Sequence, residues 1–356
     1  MSFLPANSPR AHRSRPSLDE VERQALENVL SSGQLAQGPQ VQSFEEQLGR
    51  FLEFPPGVAT SSGTTALHLA LLSLGVGPGD EVLLPSYVCS APLHAVYHSG
   101  ATPVLVDVDP ATGNMDPDDL KKRLTSKSKA IIAVHLFGLP ANIDEILALD
   151  LPVIEDCAQS LGANLEGKML GTVGAISICS FYATKLITTG EGGMLLSRDS
   201  GLLVRARDLR DYDKRESLAT RFNYKMTDLQ AALGRSQLEK LESFLGQREA
   251  LAGVYDEQLA TLPCTLPISQ EGRIYYRYVV SMKGNITELI QTLVNMGIEV
   301  ARPVYRPLHL YFDLEDYPGA EMAWKSDLSL PIHPSLTSQD VHRVCQALQS
   351  ALMENS

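Results

Sequence analysis

The residues with the greatest chemical potential lie between Val153 and Gly193. Val153-Ile154-Glu155-Asp156 reads as a short buried strand, so its acidic pair falls at the strand's C-terminal end, where open α/β sheets place their ligands. A glycine-rich link leads to a second apolar run, Ile176–Cys179. Ser180-Phe181-Tyr182-Ala183-Thr184-Lys185 and then Gly190-Glu191-Gly192-Gly193 follow it. An acid at one strand end and a lysine just past the next would meet on one rim of the sheet. A third piece lies earlier: Ser61-Ser62-Gly63-Thr64-Thr65 follows a strand-like run and opens an apolar helical pattern. Free N–H groups and the positive dipole end at such a helix start suit an anion such as phosphate.

A phosphate cradle, a lysine and an acid together meet the needs of pyridoxal phosphate. The lysine forms a Schiff base with its aldehyde, the acid keeps its pyridine nitrogen protonated, and the cradle holds its phosphate. A carboxylate beside a cation keeps its charge more readily, by about 1–3 pK units. Each piece alone is commonplace: a Gly-Thr turn is usually just a turn, and an acid at a strand end is usually a cap or a surface charge. Their order along the chain is what selects the cofactor reading.

The elements that must hold these groups follow from periodicity. Short apolar runs at 58–60, 81–84, 103–107, 130–135, 153–156, 176–179 and 193–197 alternate with helical patterns at 64–74, 91–98, 116–124 and 143–149. This predicts an α/β fold with a mainly parallel seven-stranded sheet between helices. Ahead of it, Ser17 with Glu20 reads as a capping box for a helix ending at Gly33, and a second helix is expected over 41–54. A long helix over 227–245 precedes a change of texture. There, a strand at 273–281, a helix at 287–296, a short strand at 299–301 and a helix at 338–352 predict a smaller α+β unit. The expected organisation is a poorly ordered arm over 1–16, a large domain over 17–245 and a small C-terminal domain over 246–356.

Composition excludes several classes. The 356 residues are 44% hydrophobic and 20% charged, with a net charge of −12, which describes a globular chain and argues against nucleic-acid binding. The five cysteines are odd in number and widely spaced, so neither a disulfide framework nor a metal site is expected. No apolar run approaches the roughly 20 residues of a membrane span, and the N-terminus lacks a secretory core. A reduced, cytoplasmic protein is the expectation.

Further motifs lie in order along the chain: Ser32-Gly33…Gly38-Pro39…Phe44-Glu45, Gly79-Asp80-Glu81-Val82, Glu155-Asp156-Cys157-Ala158-Gln159, Asn223-Tyr224-Lys225-Met226-Thr227-Asp228 and Leu330-Pro331-Ile332-His333-Pro334. With the three pieces above, they resemble the DegT/StrS family of pyridoxal-phosphate-dependent sugar aminotransferases over nearly the whole chain. The resemblance implies an aspartate-aminotransferase type of fold and transfer of an amino group from glutamate (or glutamine) to a keto group of a nucleotide-linked sugar, for aminosugar biosynthesis. It implies that Lys185 is the Schiff-base lysine and proton shuttle, and that Asp156 pairs with the pyridine nitrogen. Gln159 would bond the phenolic oxygen, Ala158 would pack on the ring, and Ser180 with the Gly63 and Thr64 backbone would hold the phosphate. Asn223 would reach the phosphate of a neighbouring subunit, making a homodimer with shared sites.

Two positions depart from the family pattern. The expected ring-stacking aromatic falls at Cys89, with Tyr87 two residues earlier, so the stacking residue stays open. Lys225 replaces a more usual arginine, and an ammonium is a poorer bidentate phosphate partner. Tyr305 and His309 lie in a segment resembling the family's substrate-side loop, although surface loop residues are the plainer reading. His135 is read as a hydrogen-bonded residue at the pocket rim. The alternatives are a cyclitol aminotransferase and a cofactor-binding regulatory protein without turnover.

Overall fold

The computed structural model describes residues 11–354. Along the chain its first strands are β1 (Val58–Thr60), β2 (Glu81–Pro85), β3 (Thr102–Val106), β4 (Ser128–Val134), β5 (Val153–Asp156), β6 (Asn164–Leu165), β7 (Lys168–Met169), β8 (Ile176–Ser180) and β9 (Gly193–Leu196). β6 and β7 form a separate hairpin, and the other seven make one sheet in the order β1-β9-β8-β5-β4-β2-β3. Its pairs are parallel from β3 through to β8, and β9 runs antiparallel to both β8 and β1. The expected mainly parallel sheet is therefore present.

Helices cover both faces. They are α1 (Glu20–Ser32), α2 (Pro39–Phe51), α3 (Gly63–Ser73), α4 (Ala91–Ser99), α5 (Pro117–Arg123), α6 (Ile143–Leu147), α7 (Ser200–Arg210) and α8 (Asp228–Glu239). Alternation along the strands divides the core. Leu84 and Ile132 pack with Leu67 of α3, Val96 of α4 and Leu203 of α7, whereas Leu83 and Ile131 pack with Leu120 of α5 and Ile146 of α6. Each strand thus buries successive side chains on opposite faces, each worth about 1.5–3 kcal/mol, which is why the runs read as continuously apolar.

The C-terminal unit comprises α9 (Leu241–Leu259), β10 (Cys264–Thr265), β11 (Tyr278–Met282), α10 (Ile286–Asn295), α11 (Pro318–Ser326), β12 (Asp327–Leu330) and α12 (Ser338–Glu354). β10-β11-β12 form an antiparallel sheet. Leu251 and Tyr255 of α9, Leu293 of α10 and Val344 and Leu348 of α12 pack with Tyr278, Val280 and Leu330 of that sheet. α9 is continuous across both units, because its Leu241 and Phe244 belong to the core beneath the large sheet.

Several local expectations need correction. The capping box uses Asp19 with Glu22, not Ser17 with Glu20. Both frames fit the sequence, but Lys240 Nζ pairs with Asp19 Oδ2 at 2.8 Å and Glu22 Oε1 at 2.7 Å, while Gln237 Nε2 donates to the Ser17 carbonyl. The helix expected over 227–245 is instead α8 and α9, which meet at Lys240. The strand expected from Arg273 begins only at Tyr278, because Arg248 takes the carbonyls of Tyr275 and Tyr276 away from any ladder. Residues 299–301 form no strand, only a single bridge between Ala301 and Ser329. Residues 1–10 of the expected arm lie outside the described residues. From Ala11 the arm is held: Ala11 bridges to Ile298, and the Arg13 carbonyl accepts from the Ile332 amide at 3.3 Å.

Candidate active site

A cavity of about 490 Å³ opens where the ends of β5 and β8 meet the start of α3, within the range of small-molecule sites. Gly63, Thr64, Asp156, Gln159, Ser180 and Lys185 all line it.

The cradle is set by capping. Ser62 Oγ accepts from the Thr65 amide at 3.1 Å, and Thr65 Oγ1 accepts from the Ser62 amide at 3.0 Å. That box uses the Thr65 donor and leaves the Gly63 and Thr64 amides of the first turn without a protein acceptor among the described residues. Backbone approach is tight here. A Cβ on Gly63 would lie 2.8 Å from Ser180 Cβ, and one on Gly193 would lie 2.4 Å from the Ser62 carbonyl oxygen. Two strands therefore press the helix start against Ser180, giving two free amides and a hydroxyl on one wall. Free amides at a helix start beside a hydroxyl suit an anion such as a phosphate.

The adjacent acids Glu155 and Asp156 point to opposite faces of β5. Glu155 accepts from His135 Nε2 at 3.1 Å and from the amides of Gly171, Val173 and Gly174 at 2.9, 2.9 and 2.5 Å. Burial works to raise this carboxyl, but those donors outweigh it and hold it below its ordinary value. Asp156 faces the cavity with one hydrogen bond, accepting from the Ala158 amide at 2.9 Å. Burial raises its carboxyl, while the Ala158 bond, Lys185 and His135 oppose the shift. A buried acid with so little support fits a cofactor that brings a cation to it.

Lys185 lies in the turn after β8, its amide bonded to the Tyr182 carbonyl at 2.8 Å and its Nζ 5.2 Å from the ring centre of Tyr276. Gln159 Oε1 accepts from the Phe137 amide at 3.2 Å, which leaves its Nε2 donors for the cavity. Phe137 holds φ at 56°, so that anchor rests on a locally strained turn.

Other expected residues fall elsewhere. Cys89 is exposed and lines the cavity, whereas Tyr87 is wholly buried with its hydroxyl donating to Asp327 at 3.1 Å. Of the two, it is the thiol that borders the site. Tyr305 is 88% exposed and lines the cavity mouth. His309 does not reach the cavity: it is wholly buried, its Nδ1 shares a hydrogen bond with Ser86 Oγ at 2.7 Å, and its ring stacks on Tyr317 at 4.7 Å. His135 is likewise interior, and because its Nδ1 accepts from the Ala141 amide, Nε2 is the donor to Glu155. Asn223 is exposed and outside its own chain's cavity. Lys225 is engaged within the chain, at 2.7 Å from Asp211 and 3.0 Å from Asp213.

Sequence reasoning missed Phe137, Tyr276 and Arg277, which also line the cavity. The aromatic run Tyr275-Tyr276-Arg277-Tyr278 was a visible signal, but nothing in its spacing ties it to Lys185.

The chain belongs to the DegT/DnrJ/EryC1/StrS aminotransferase family, whose model matches residues 16–349. It is thus a pyridoxal-phosphate-dependent aminotransferase, as the site's contents anticipate. GDP-perosamine synthase from Caulobacter vibrioides is 37% identical to it over 368 aligned positions, covering 97% of this chain and 99% of that protein. The aminotransferase TlmJ from Streptoalloteichus hindustanus superposes with a TM-score of 0.94 at 32% identity, covering 98% of this chain and 100% of that one. Spr1654 from Streptococcus pneumoniae, in its PLP form, gives 0.90 at 27% identity over 98% of this chain and 99% of that one.

Proposed function

We propose that this aminotransferase moves the amino group of glutamate to the keto group of a nucleotide-linked sugar, as a step in aminosugar biosynthesis. The observation that carries the reading is the convergence of Lys185, Asp156 and the free Gly63 and Thr64 amides of a helix start in one cavity. A near full-length relative named for a GDP-linked product supports a sugar nucleotide as acceptor.

In this reading the Gly63 and Thr64 amides and Ser180 Oγ hold the phosphate, and Asp156 keeps a proton on the pyridine nitrogen. Gln159 Nε2 donates to the phenolic oxygen, and Ala158 packs on the ring. When bound, the cofactor supplies an electrophilic carbon and a ring that takes up electrons from the donor's α-carbon. Lys185 Nζ holds the cofactor at rest. Once free, its amine would serve as the base that takes the proton from the donor's α-carbon and, in the second half-reaction, as the acid that supplies one to the acceptor carbon. The Tyr276 ring, 5.2 Å from Nζ, would help to position that amine.

The working unit is proposed to be a homodimer in which Asn223 completes the partner's phosphate site. Its exposure and its position outside its own cavity support this. The compartment is proposed to be the cytoplasm; among the described residues no helix is long and apolar enough to cross a membrane.

The test is the absorbance of purified protein with pyridoxal phosphate, before and after glutamate, beside Lys185→Ala. The expected result is a near-visible band from the lysine-linked cofactor that glutamate converts to the shorter-wavelength band of the amine form, with no lysine-linked band in the variant. A bound cofactor that glutamate leaves unconverted would refute glutamate as donor, and a Lys185→Ala protein that still shows the linked band would refute the role of Lys185.

A further inference from the structure

Among the described residues, Arg277 makes no hydrogen bond or ion pair although it lines the cavity in a chain with 42 acidic and 30 basic residues. Arginines elsewhere find carboxylates readily, as Arg210 does with Glu45 and Arg221 with Asp208. The Arg277 guanidinium packs 5.1 Å from the ring centre of Tyr276, the ring that also carries Lys185 Nζ. One aromatic side chain thus positions both cations.

A second cation, Arg13, lies on the arm that borders the lysine loop, outside the cavity lining. The arm after Ala11 runs beside the lysine loop: the Arg13 amide donates to Glu299 Oε2 at 3.1 Å, and Ser14 Oγ donates to the carbonyl of Thr184 at 3.4 Å, the residue before Lys185. The Arg13 guanidinium also lacks an ion pair among the described residues. Burial first, and then repulsion from Arg277, lowers the tendency of Arg13 to stay protonated, and Glu299 only partly offsets them. Arg248, also near Arg277, is already committed to the carbonyls of Tyr275, Tyr276 and Ile332. Like charges that Glu299 only partly offsets raise the energy of the protein alone, and an anionic ligand lowers that cost.

We infer that Arg277, backed by Arg13 of the N-terminal arm, anchors the diphosphate of the acceptor. The inference rests on the reading of that acceptor as a nucleotide-linked sugar. A guanidinium in the cavity, with a second on the arm beside the lysine loop, suits a ligand that carries two negative charges close together, and a diphosphate bridge does so where each carboxylate of glutamate brings one. The arm then acts as one wall of the site, and its contact with the lysine loop couples acceptor binding to the position of Lys185.

The test measures binding of GDP, UDP and dTDP to the glutamate-treated enzyme and, separately, the rate and half-saturation of the glutamate half-reaction. Wild type is compared with Arg277→Gln, Arg277→Lys and Arg13→Gln. Arg277→Gln is expected to weaken the bound nucleotide about tenfold or more, Arg13→Gln severalfold, and Arg277→Lys to recover part of the loss. The glutamate half-reaction should stay within about twofold of wild type, which also shows that each variant is folded. Unchanged nucleotide binding in Arg277→Gln would overturn the inference. So would a raised half-saturation for glutamate with nucleotide binding intact, which would assign Arg277 to the donor. A wild type that converts glutamate but binds none of the three nucleotides would instead overturn the acceptor reading, and the inference with it.

Discussion

Replacing Asp327 by asparagine should stabilise the protein at neutral pH. This carboxylate joins the two units: it accepts from Tyr87 of the large one at 3.1 Å and from Ser281 of the small one at 2.8 Å. Burial is the largest influence on it and pushes it from an ordinary 3.8 up to about 6, even though the hydroxyls of Ser281, Tyr87 and Ser326 pull the other way. The unfolded chain therefore ionises first as pH rises. Between about pH 4 and 6 the folded state holds the extra proton, so stability falls across that window and stays at the lower level above it. The displacement corresponds to about 3 kcal/mol at pH 7.5, with about half of that already lost at pH 5. Asparagine keeps an acceptor for one hydroxyl and offers an amide to the other, which can rotate to accept. Urea unfolding of the cofactor-free wild type and Asp327→Asn at pH 5.0 and 7.5 would measure this. The variant should be the more stable at pH 7.5, by up to about 3 kcal/mol, and its advantage should shrink at pH 5. An advantage that does not change with pH, or a variant less stable than wild type at pH 7.5, would refute the reasoning.

Gly63→Ala places a methyl against Ser180, 2.8 Å from its Cβ, where neither group has a flexible end to move aside. The expected cost is about 1–3 kcal/mol in unfolding, with pyridoxal phosphate affinity reduced about tenfold, read by cofactor titration; unchanged affinity would refute the cradle. If Asn223 serves the partner's site, equal amounts of Lys185→Ala and Asn223→Ala subunits, unfolded and refolded together, should regain activity that neither has alone. Random pairing gives one intact site in each mixed dimer, hence about a quarter of the wild-type activity, whereas an Asn223 acting within its own chain would give no recovery.

Which residues share this cavity was legible where covalent spacing alone decides geometry. A strand end, a short turn and a helix start each fix a side chain within a few residues, so Asp156, Ser180, Lys185 and Gly63 could be read together before any packing was known. Tyr276 and Arg277 could not, because the one reaches Lys185 and the other the cavity only when the C-terminal unit docks on the large sheet. The frame of α1 failed for a related reason. Ser17 and Asp19 both satisfy the local capping pattern, and the choice falls to Lys240, far along the chain. The start of β11 was misplaced because Arg248 occupies carbonyls that a strand reading assumes to be free.

Residue type proved a weaker guide than donor supply. His309 and His135, which the sequence places near ligand, are both interior groups with protein partners. The same criterion separates the two acids of β5. Glu155 has four donors, three of them amides of the glycine-rich link, so that link serves the buried carboxylate and shapes the sheet rather than the cavity. Asp156, one residue on, has a single amide and an open cavity before it. Strand alternation sends the pair to opposite faces, and the fold satisfies one acid while leaving the other in deficit. A carboxylate left in deficit at the end of a parallel strand, beside a lysine and a free helix start, is stabilised most by a ligand that brings its own positive charge. That shortfall supports Asp156, rather than Glu155, as the acid proposed to pair with the cofactor.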